Sequence, residues 1–208
     1  PGAAQFVKVG DSVAKGDTLL IAPTGGGKTL AGFLPSLVDL KDGHKGLHTL
    51  YVSPLKALTA DIARNLARPV AELNLPVRVE DRTGDTRSSQ RARQRVDPPQ
   101  ILLTTPESLS LLLSYPDSAT MFAQLRTIVV DEVHAFATGK RGDLLSLCMA
   151  RLQRIAPAMR RVALSATVAD PDGYRAWLAP DGDIVVGGAT DSSDLPVTAG
   201  ALDPTYNG

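Results

Sequence analysis

A glycine-rich loop followed by lysine and threonine carries the most specific chemistry in this sequence. Residues 18–22 form a short apolar run, residues 25–27 are three glycines, and residues 28–40 place apolar side chains at helical spacing. A strand, a glycine loop and a helix in this order are typical of a phosphate-binding loop. The predicted nucleotide-binding residues are Thr24, Gly25, Gly26, Gly27, Lys28 and Thr29.

Each residue type in this loop has a physical reason to be there. Glycines let backbone N–H groups approach phosphate oxygens, where a Cβ atom would intrude, and the helix N-terminus adds its positive dipole end. Lys28 supplies a positive charge for the β- and γ-phosphates, and the Thr29 hydroxyl is placed to ligate Mg²⁺. The general pattern begins with glycine, and Ala22 stands there instead. A turn with a purely structural role is the alternative.

Two adjacent carboxylates follow a second apolar run. Asp131 and Glu132 come directly after residues 126–130, and His134 lies two residues further on. Carboxylates at the end of a buried strand are costly to desolvate unless a cation neutralises them, and opposite a phosphate loop that cation would be Mg²⁺. We predict that Asp131 holds the metal and that Glu132 deprotonates the attacking water. An exposed acidic helix cap is the alternative interpretation.

Ser165 and Thr167 lie at the end of a third apolar run, over residues 161–165. Two hydroxyls there could sense the γ-phosphate and connect it to a neighbouring domain. Serine and threonine at a strand end are more often helix caps, so this signal is weak alone. We predict Ser165 and Thr167 as coupling residues, with a helix cap as the alternative.

The elements that position these residues alternate along the chain. Strands are predicted at residues 18–22, 48–53, 77–81, 100–104, 126–131, 161–165 and 183–186, and helices at 28–40, 56–68, 87–95, 106–113, 143–155 and 172–178. The strands are almost continuously apolar, as in a parallel sheet covered on both faces. The sequence thus predicts a doubly wound α/β domain that binds ligands at the carboxyl ends of its strands.

Composition narrows the function classes. Lysine and arginine outnumber aspartate and glutamate by 9 to 5 over residues 56–95, whereas residues 166–208 carry 1 against 7. A basic middle suggests an anionic partner. The single Cys148 excludes a disulfide framework, and its apolar neighbours predict a packed core thiol. Without a long apolar run or a signal pattern, the chain is predicted to be cytoplasmic and free of membrane contact.

Several motifs together carry a resemblance to a known family. Besides the phosphate loop, Asp-Glu-Val-His and Ser-Ala-Thr, the chain contains Ser-Pro-Leu-Lys-Ala-Leu at 53–58, Thr-Gly-Asp-Thr at 83–86 and Thr-Thr-Pro-Glu-Ser-Leu at 104–109. This set resembles the first RecA-like domain of a superfamily 2 DExH-box helicase. It is most similar to the large helicase-related (Lhr) group, in its bacterial branch associated with DNA ligase and DNA repair.

The resemblance implies a RecA-like P-loop NTPase fold and ATP hydrolysis coupled to movement on single-stranded DNA, or RNA. Lys28, Asp131, Glu132 and His134 fall on catalytic positions, and Thr29 and Asp131 on the metal site. His134, Ser165 and Thr167 fall on coupling positions. Segments that grip the nucleic-acid backbone match Pro54, Lys56, Gly84, Thr105 and Pro106.

The arginine run near these segments is open to two interpretations. Arg82, Arg87, Arg91, Arg93 and Arg95 put positive charge on or near one short predicted helix. Contact with DNA through this helix, with Arg91 as the predicted contact residue, is as well supported as a solvated surface. For Pro106 the physics agrees with the resemblance, because proline suits the first turn of a helix whose N-terminus can bind phosphate.

Both ends depart from the helicase pattern. Residues 1–17 resemble the hairpin of biotinyl or lipoyl carrier domains, and residues 190–208 faintly resemble a β-propeller repeat. The core is predicted at 18–186 and an irregular tail at 187–208, and both ends are expected to be foreign to the core or poorly ordered. The family also has a second RecA-like domain with an arginine finger and a segment that reads adenine, and neither is expected within residues 1–208. We therefore expect weak nucleotide binding and poor ATP hydrolysis. The resemblance separately implies DNA repair partners. The alternatives are a P-loop ATPase without nucleic acid and a catalytically silent nucleotide-binding module.

Overall fold

The computed structural model describes residues 28–136, 139–167 and 184–189. Its strands are β1 (Thr49–Val52), β2 (Val79–Arg82), β3 (Ile101–Thr104), β4 (Thr127–Val130), β5 (Arg160–Thr167) and β6 (Ile184–Ala189). They form one sheet in the order β2-β3-β1-β4-β5-β6, and every neighbouring pair is parallel. The predicted parallel sheet is therefore confirmed.

Six α-helices connect these strands within the described ranges. They are α1 (Lys28–Asp39), α2 (Lys56–Glu72), α3 (Ser88–Val96), α4 (Pro106–Ser114), α5 (Ser118–Phe122) and α6 (Lys140–Ile155). A short 3-10 helix, Val133–Ala135, follows β4. The sequence predicted four of the α-helices within a few residues and the start of α2, but neither α5 nor the 3-10 helix, since each is too short to show a helical period.

Helices cover both faces of the sheet, as the apolar strands predicted. Side chains of β1 alternate between the two faces. Leu50 and Val52 join a core cluster with α4, α5 and α6, whereas Tyr51 joins a second cluster with α1 and α2. All four residues of β1, of β3 and of β4 are buried, which is typical of a parallel sheet between two helical layers.

Two helix boundaries differ from the prediction. Helix α2 was expected to stop at residue 68 because a proline follows, but it continues through Pro69 to Glu72 and buries Val70. Helix α6 begins at Lys140 rather than at residue 143. Val70 packs in the core cluster that includes Tyr51 of β1, and Gly142, in the first turn of α6, packs against the Phe136 carbonyl. These tertiary contacts accompany the later end of α2 and the earlier start of α6.

The buried face of α1 also differs from the expected apolar stripe. Leu30, Leu34 and Val38 are 41%, 39% and 61% exposed, whereas Phe33 and Leu37 are buried. The prediction of a helix here is confirmed, but its apolar residues do not all lie on the buried face. The sheet decides which face is covered, because Phe33 stacks on Tyr51 of β1.

Other predicted features fall outside the described residues. These are the strand at 18–22, the helix at 172–178 with Trp177, and the two ends with their carrier-like and propeller-like resemblances. Strand β6 runs to Ala189, beyond the boundary predicted at residue 186, and the domain boundaries themselves stay a prediction. Cys148 is buried in the core on α6, and burial raises the pKa of its thiol to about 11, as expected of a packed cysteine.

Candidate active site

Asp131 lies at the carboxyl end of β4 in a buried position. Its backbone N–H donates to the Val52 carbonyl at 2.9 Å, which continues the sheet by one residue. Its Oδ1 accepts the Glu132 backbone N–H at 2.8 Å, and its Oδ2 accepts the Tyr51 hydroxyl. The side chain is thus fixed by two neutral donors, and Asp131 is only 7% exposed.

Tyr51 is a site residue that the sequence did not predict. Burial, reinforced by the adjacent Asp131 carboxylate, raises the pKa of the Tyr51 hydroxyl far above its usual value, so it stays a proton donor. Its ring lies 5.4 Å from the Phe33 ring, centroid to centroid. The alternation of β1 was the one available signal, since it turns residue 51 to the face opposite Leu50 and Val52.

Glu132 and His134 turn back toward the neighbouring strand. The His134 Nδ1 lies 3.3 Å from the Glu132 Oε2 and 3.0 Å from the Ser165 Oγ on β5. Glu132 has a φ of 50°, a left-handed conformation that is uncommon for a residue with a long side chain. Such backbone costs about 1–2 kcal/mol and is often found at functional sites. Three predicted residues from two strands are therefore in direct contact.

The amino end of α1 lies at this same edge of the sheet. Besides the Phe33 stack on Tyr51, a Cβ atom added to Gly32 would lie 3.1 Å from the Leu164 side chain near the end of β5. Lys28 is the first residue of α1, and Thr29 next to it is half-buried. Thr24, Gly25, Gly26 and Gly27 lie outside the described residues, as do the side chains of Lys28 and Thr167.

The segments predicted to grip nucleic acid lie along the same carboxyl edge. Lys56 begins α2, and its Nζ lies 3.1 Å from the Asp85 Oδ1. A Cβ atom added to Gly84 would lie 3.3 Å from that Nζ, so the segments at 53–58 and 83–86 are adjacent. On the next segment the Thr105 Oγ1 lies 3.3 Å from the Ser108 Oγ, and Pro106 is the first residue of α4.

Several members of the arginine run bind other residues of the chain. Arg82 is buried and donates to the Arg91 carbonyl at 2.8 Å. Arg93 pairs with Glu80 at 2.6 Å, and Arg95 pairs with Asp117 at 2.8 Å while its guanidinium lies 3.9 Å from the centre of the Tyr115 ring. These contacts attach α3 to β2 and α5, so a purely solvated helix is the wrong description for these three arginines.

Arg141 and Glu107 form a contact that the sequence also missed. Both Arg141 Nε and Nη2 donate to the Glu107 carboxylate, at 2.6 and 3.1 Å, and Nη2 also donates to the Pro54 carbonyl at 2.9 Å. Since 34 and 87 residues separate these partners along the chain, no local pattern could indicate the contact.

The sequence of this chain is similar to that of a known protein family. A sequence model of the DEAD/DEAH box helicase family matches residues 5–173, more than half of the chain. The chain belongs to the DEAD/DEAH box helicase family. In this DEAD/DEAH box domain the acidic motif, Asp131 to His134, follows the central strand β4.

The DEAD/DEAH box domain has relatives in the Lhr group. It is 42% identical over 167 residues to the ATP-dependent helicase Lhr-Core of Methanothermobacter thermautotrophicus, a match that covers 73% of this chain and 19% of that protein. It is 45% identical over 179 residues to the Lhr helicase/probable uracil glycosylase of Mycolicibacterium smegmatis, covering 78% and 12%. The predicted resemblance to the Lhr group is confirmed.

Solved structures confirm the RecA-like helicase fold. The Mycobacterium smegmatis helicase Lhr bound to ssDNA and AMP-PNP matches with a TM-score of 0.76 and 40% identity, covering 85% of this chain and 24% of that one. The DEAD-box helicase Mss116 bound to ssRNA and UDP-BeF, at a TM-score of 0.71 and 20% identity, shares the fold. The chain spans about a fifth of the length of its Lhr-Core relatives. No helix among the described residues is long and apolar enough to span a membrane.

Proposed function

We propose that this chain is the ATP-binding first motor domain of an ATP-dependent helicase, which couples ATP hydrolysis to binding of single-stranded nucleic acid. One observation carries the proposal: Asp131, Glu132 and His134 meet Ser165 at the carboxyl edge of the sheet, beside the amino end of α1. A helix N-terminus next to a carboxylate pair is suited to binding a metal-bound triphosphate.

The Asp131 carboxylate fits a magnesium ion. It is a buried hard oxygen ligand whose recorded hydrogen-bond donors, Tyr51 and the Glu132 amide, are both neutral, so each oxygen keeps acceptor capacity for a cation. Mg²⁺ keeps several water ligands and is usually bound through one or two carboxylates together with substrate phosphates, so one buried carboxylate can suffice on the protein side. Thr29 and Asp131 would hold the ion, which neutralises charge that develops on the phosphates.

The remaining residues divide the work between hydrolysis and coupling. Glu132 would orient and deprotonate the attacking water, and its contact with His134 fixes its direction. His134 would pass the state of the site to Ser165 on β5, and from there with Thr167 to a second motor domain. DNA rather than RNA as the partner is supported by the ssDNA bound to the similar Lhr helicase structure. The second motor domain and a role in DNA repair belong to the proposal through the resemblance of the sequence motifs alone.

A single lysine tests the nucleotide site. We expect Lys28→Ala to abolish Mg²⁺-dependent ATP and ADP binding measured by calorimetry, because the variant loses the charge that faces the phosphates. Lys41→Ala is the matched control, since Lys41 is exposed just beyond the other end of α1. Equal affinity in Lys28→Ala and wild type would contradict the proposed site.

A further inference from the structure

Arg141 joins three segments that are far apart in sequence. It is the second residue of α6, and its guanidinium binds the Glu107 carboxylate through two nitrogens and the Pro54 carbonyl through one of them. A planar guanidinium that donates to both a carboxylate and a carbonyl fixes the positions of these two acceptors relative to each other. A lysine ammonium could not do this in the same way, because its donors are not arranged in a rigid plane. The contact is therefore a geometric clamp, which we call the Arg141 clamp.

Both partners of the Arg141 clamp belong to proposed nucleic-acid segments. Pro54 lies two residues before Lys56, at the start of α2, and Glu107 lies next to Pro106, in the first turn of α4. At neither helix start does the side chain of the N-cap residue, Leu55 or Thr105, accept a backbone N–H of the first turn; the Thr105 hydroxyl bonds Ser108 instead. Since those N-termini would bind phosphate, the clamp sets the spacing between two phosphate contacts.

The other side of the clamp reaches the active site. Gly142 follows Arg141, and a Cβ atom built on it would lie 1.8 Å from the Phe136 carbonyl oxygen. Only glycine permits this approach, which packs the first turn of α6 directly against the end of the segment that begins with Asp131. The segment from residue 131 to residue 136 therefore packs against Gly142, the residue next to Arg141, which binds the two nucleic-acid segments.

We propose that Arg141 is a positioning residue that holds the segments at Pro54 and Glu107 in a fixed relation to the acidic motif, and so sets the affinity for single-stranded nucleic acid. This inference rests on the proposed function. Its direct rival is that Arg141 itself contacts a nucleic-acid phosphate. Burial raises the pKa of the Glu107 carboxyl, but the hydrogen bonds and charge of Arg141 outweigh it, so that pKa lies below its usual value and the pair stays ionised at neutral pH.

Two variants distinguish positioning from direct contact. Arg141→Gln and Glu107→Gln both break the clamp, but the first removes a positive charge and the second a negative one. If Arg141 positions the segments, both variants bind a fluorescent single-stranded oligonucleotide about three- to tenfold more weakly than the 208-residue wild-type chain at fixed salt. If Arg141 contacts phosphate, Glu107→Gln binds as well as wild type or better, and the proposal is overturned.

Hydrogen exchange supplies a readout that needs no ligand. We expect the backbone amides of residues 55–59 to exchange faster in both variants, with an unchanged midpoint of urea unfolding, because an exposed ion pair contributes little to global stability. Arg68→Gln is the matched control, since it breaks an exposed arginine–glutamate pair at the far end of α2. Unchanged exchange at residues 55–59 would overturn the positioning role. If the two variants exchange faster at these residues but the wild-type chain binds no oligonucleotide, the proposed function is contradicted and the positioning role is not.

Discussion

The two edges of the sheet differ in the ionisable side chains that lie there and in how far these are buried. At the carboxyl edge, carboxylates, hydroxyls and exposed ion pairs from β1, β4 and β5 converge, and Glu132 is in a left-handed conformation. At the amino edge, His48 precedes β1 and is only 3% exposed, and its ring lies against the His44 ring at 5.0 Å in an edge-to-face contact. The carboxyl edge holds polar groups that can take further partners, whereas the amino edge packs the buried His48 against His44.

The amino edge is built to keep its histidines uncharged. Burial, followed by the neighbouring His44, Arg126 and Arg160, lowers the pKa of His48 to about 4, while Asp39 at 3.9 Å acts in the opposite direction. The His48 Nδ1 lies 2.8 Å from the Thr49 Oγ1, and the His48 backbone is bonded to β3 and β4 neighbours through Gln100 and Thr127. This edge therefore contributes to stability, whereas the carboxyl edge keeps the chemical groups available for a ligand.

Changing one carboxylate at each edge tests most directly whether only the carboxyl edge takes part in ATP hydrolysis. We expect Glu132→Gln to lower the rate of phosphate release from Mg·ATP by about 10²–10⁴-fold, with nucleotide affinity retained, because the amide cannot accept the water proton. Asp39→Asn, at the amino edge, should leave that rate within about twofold. A Glu132→Gln variant that hydrolyses ATP at the wild-type rate would show that the carboxyl edge has been assigned the wrong chemistry.

A pH titration tests the amino edge. Since the pKa of His48 is lower in the folded chain, about 4, than in the unfolded chain, about 6.5, the unfolded chain binds more protons between these values. The free energy of unfolding should fall as pH drops through that window, by on the order of 2–3 kcal/mol from this group, and level off below it. Urea unfolding at pH 7 and pH 4 measures this.

The matched variants for that titration lie on opposite edges. His48→Asn should lose this part of the pH dependence, whereas His134→Asn, which removes a half-exposed histidine of the carboxyl edge, should retain it. If both variants keep the full wild-type dependence, His48 does not set the stability of the amino edge, and another group must account for any loss at low pH.

The smallest expected effect concerns nucleic-acid affinity. Lys56→Ala should weaken binding of a single-stranded oligonucleotide several-fold, by about three- to tenfold, and lower the salt dependence by about one phosphate contact. Lys45→Ala removes an exposed lysine before β1, near the amino edge, and should change neither quantity. Equal losses in the two variants would indicate that charge anywhere on the surface suffices, so the carboxyl edge would have no special role.

Much of the fold and part of the site could be predicted from sequence. Apolar runs indicated all six described strands. The signal is clearest for β1, β3 and β4, because a strand buried on both faces has almost no polar position, whereas β2 is largely half-buried and carries Glu80 and Asp81. Asp131 and Glu132 were expected at a strand end because they interrupt such a run. The 3-10 helix after them and α5 were missed, since three- and five-residue segments leave no period to detect.

Sequence alone determined the strands, most helices and the residue types that could bind phosphate or metal, because those signals are local. Only the tertiary structure decided which residues meet: Tyr51 with Asp131, His134 with Ser165 and Arg141 with Glu107 are 80, 31 and 34 residues apart. Such contacts depend on strand order and on the register between neighbouring strands. Neither is encoded by spacing within one segment, so the partners of the acidic motif appear only when the sheet is assembled.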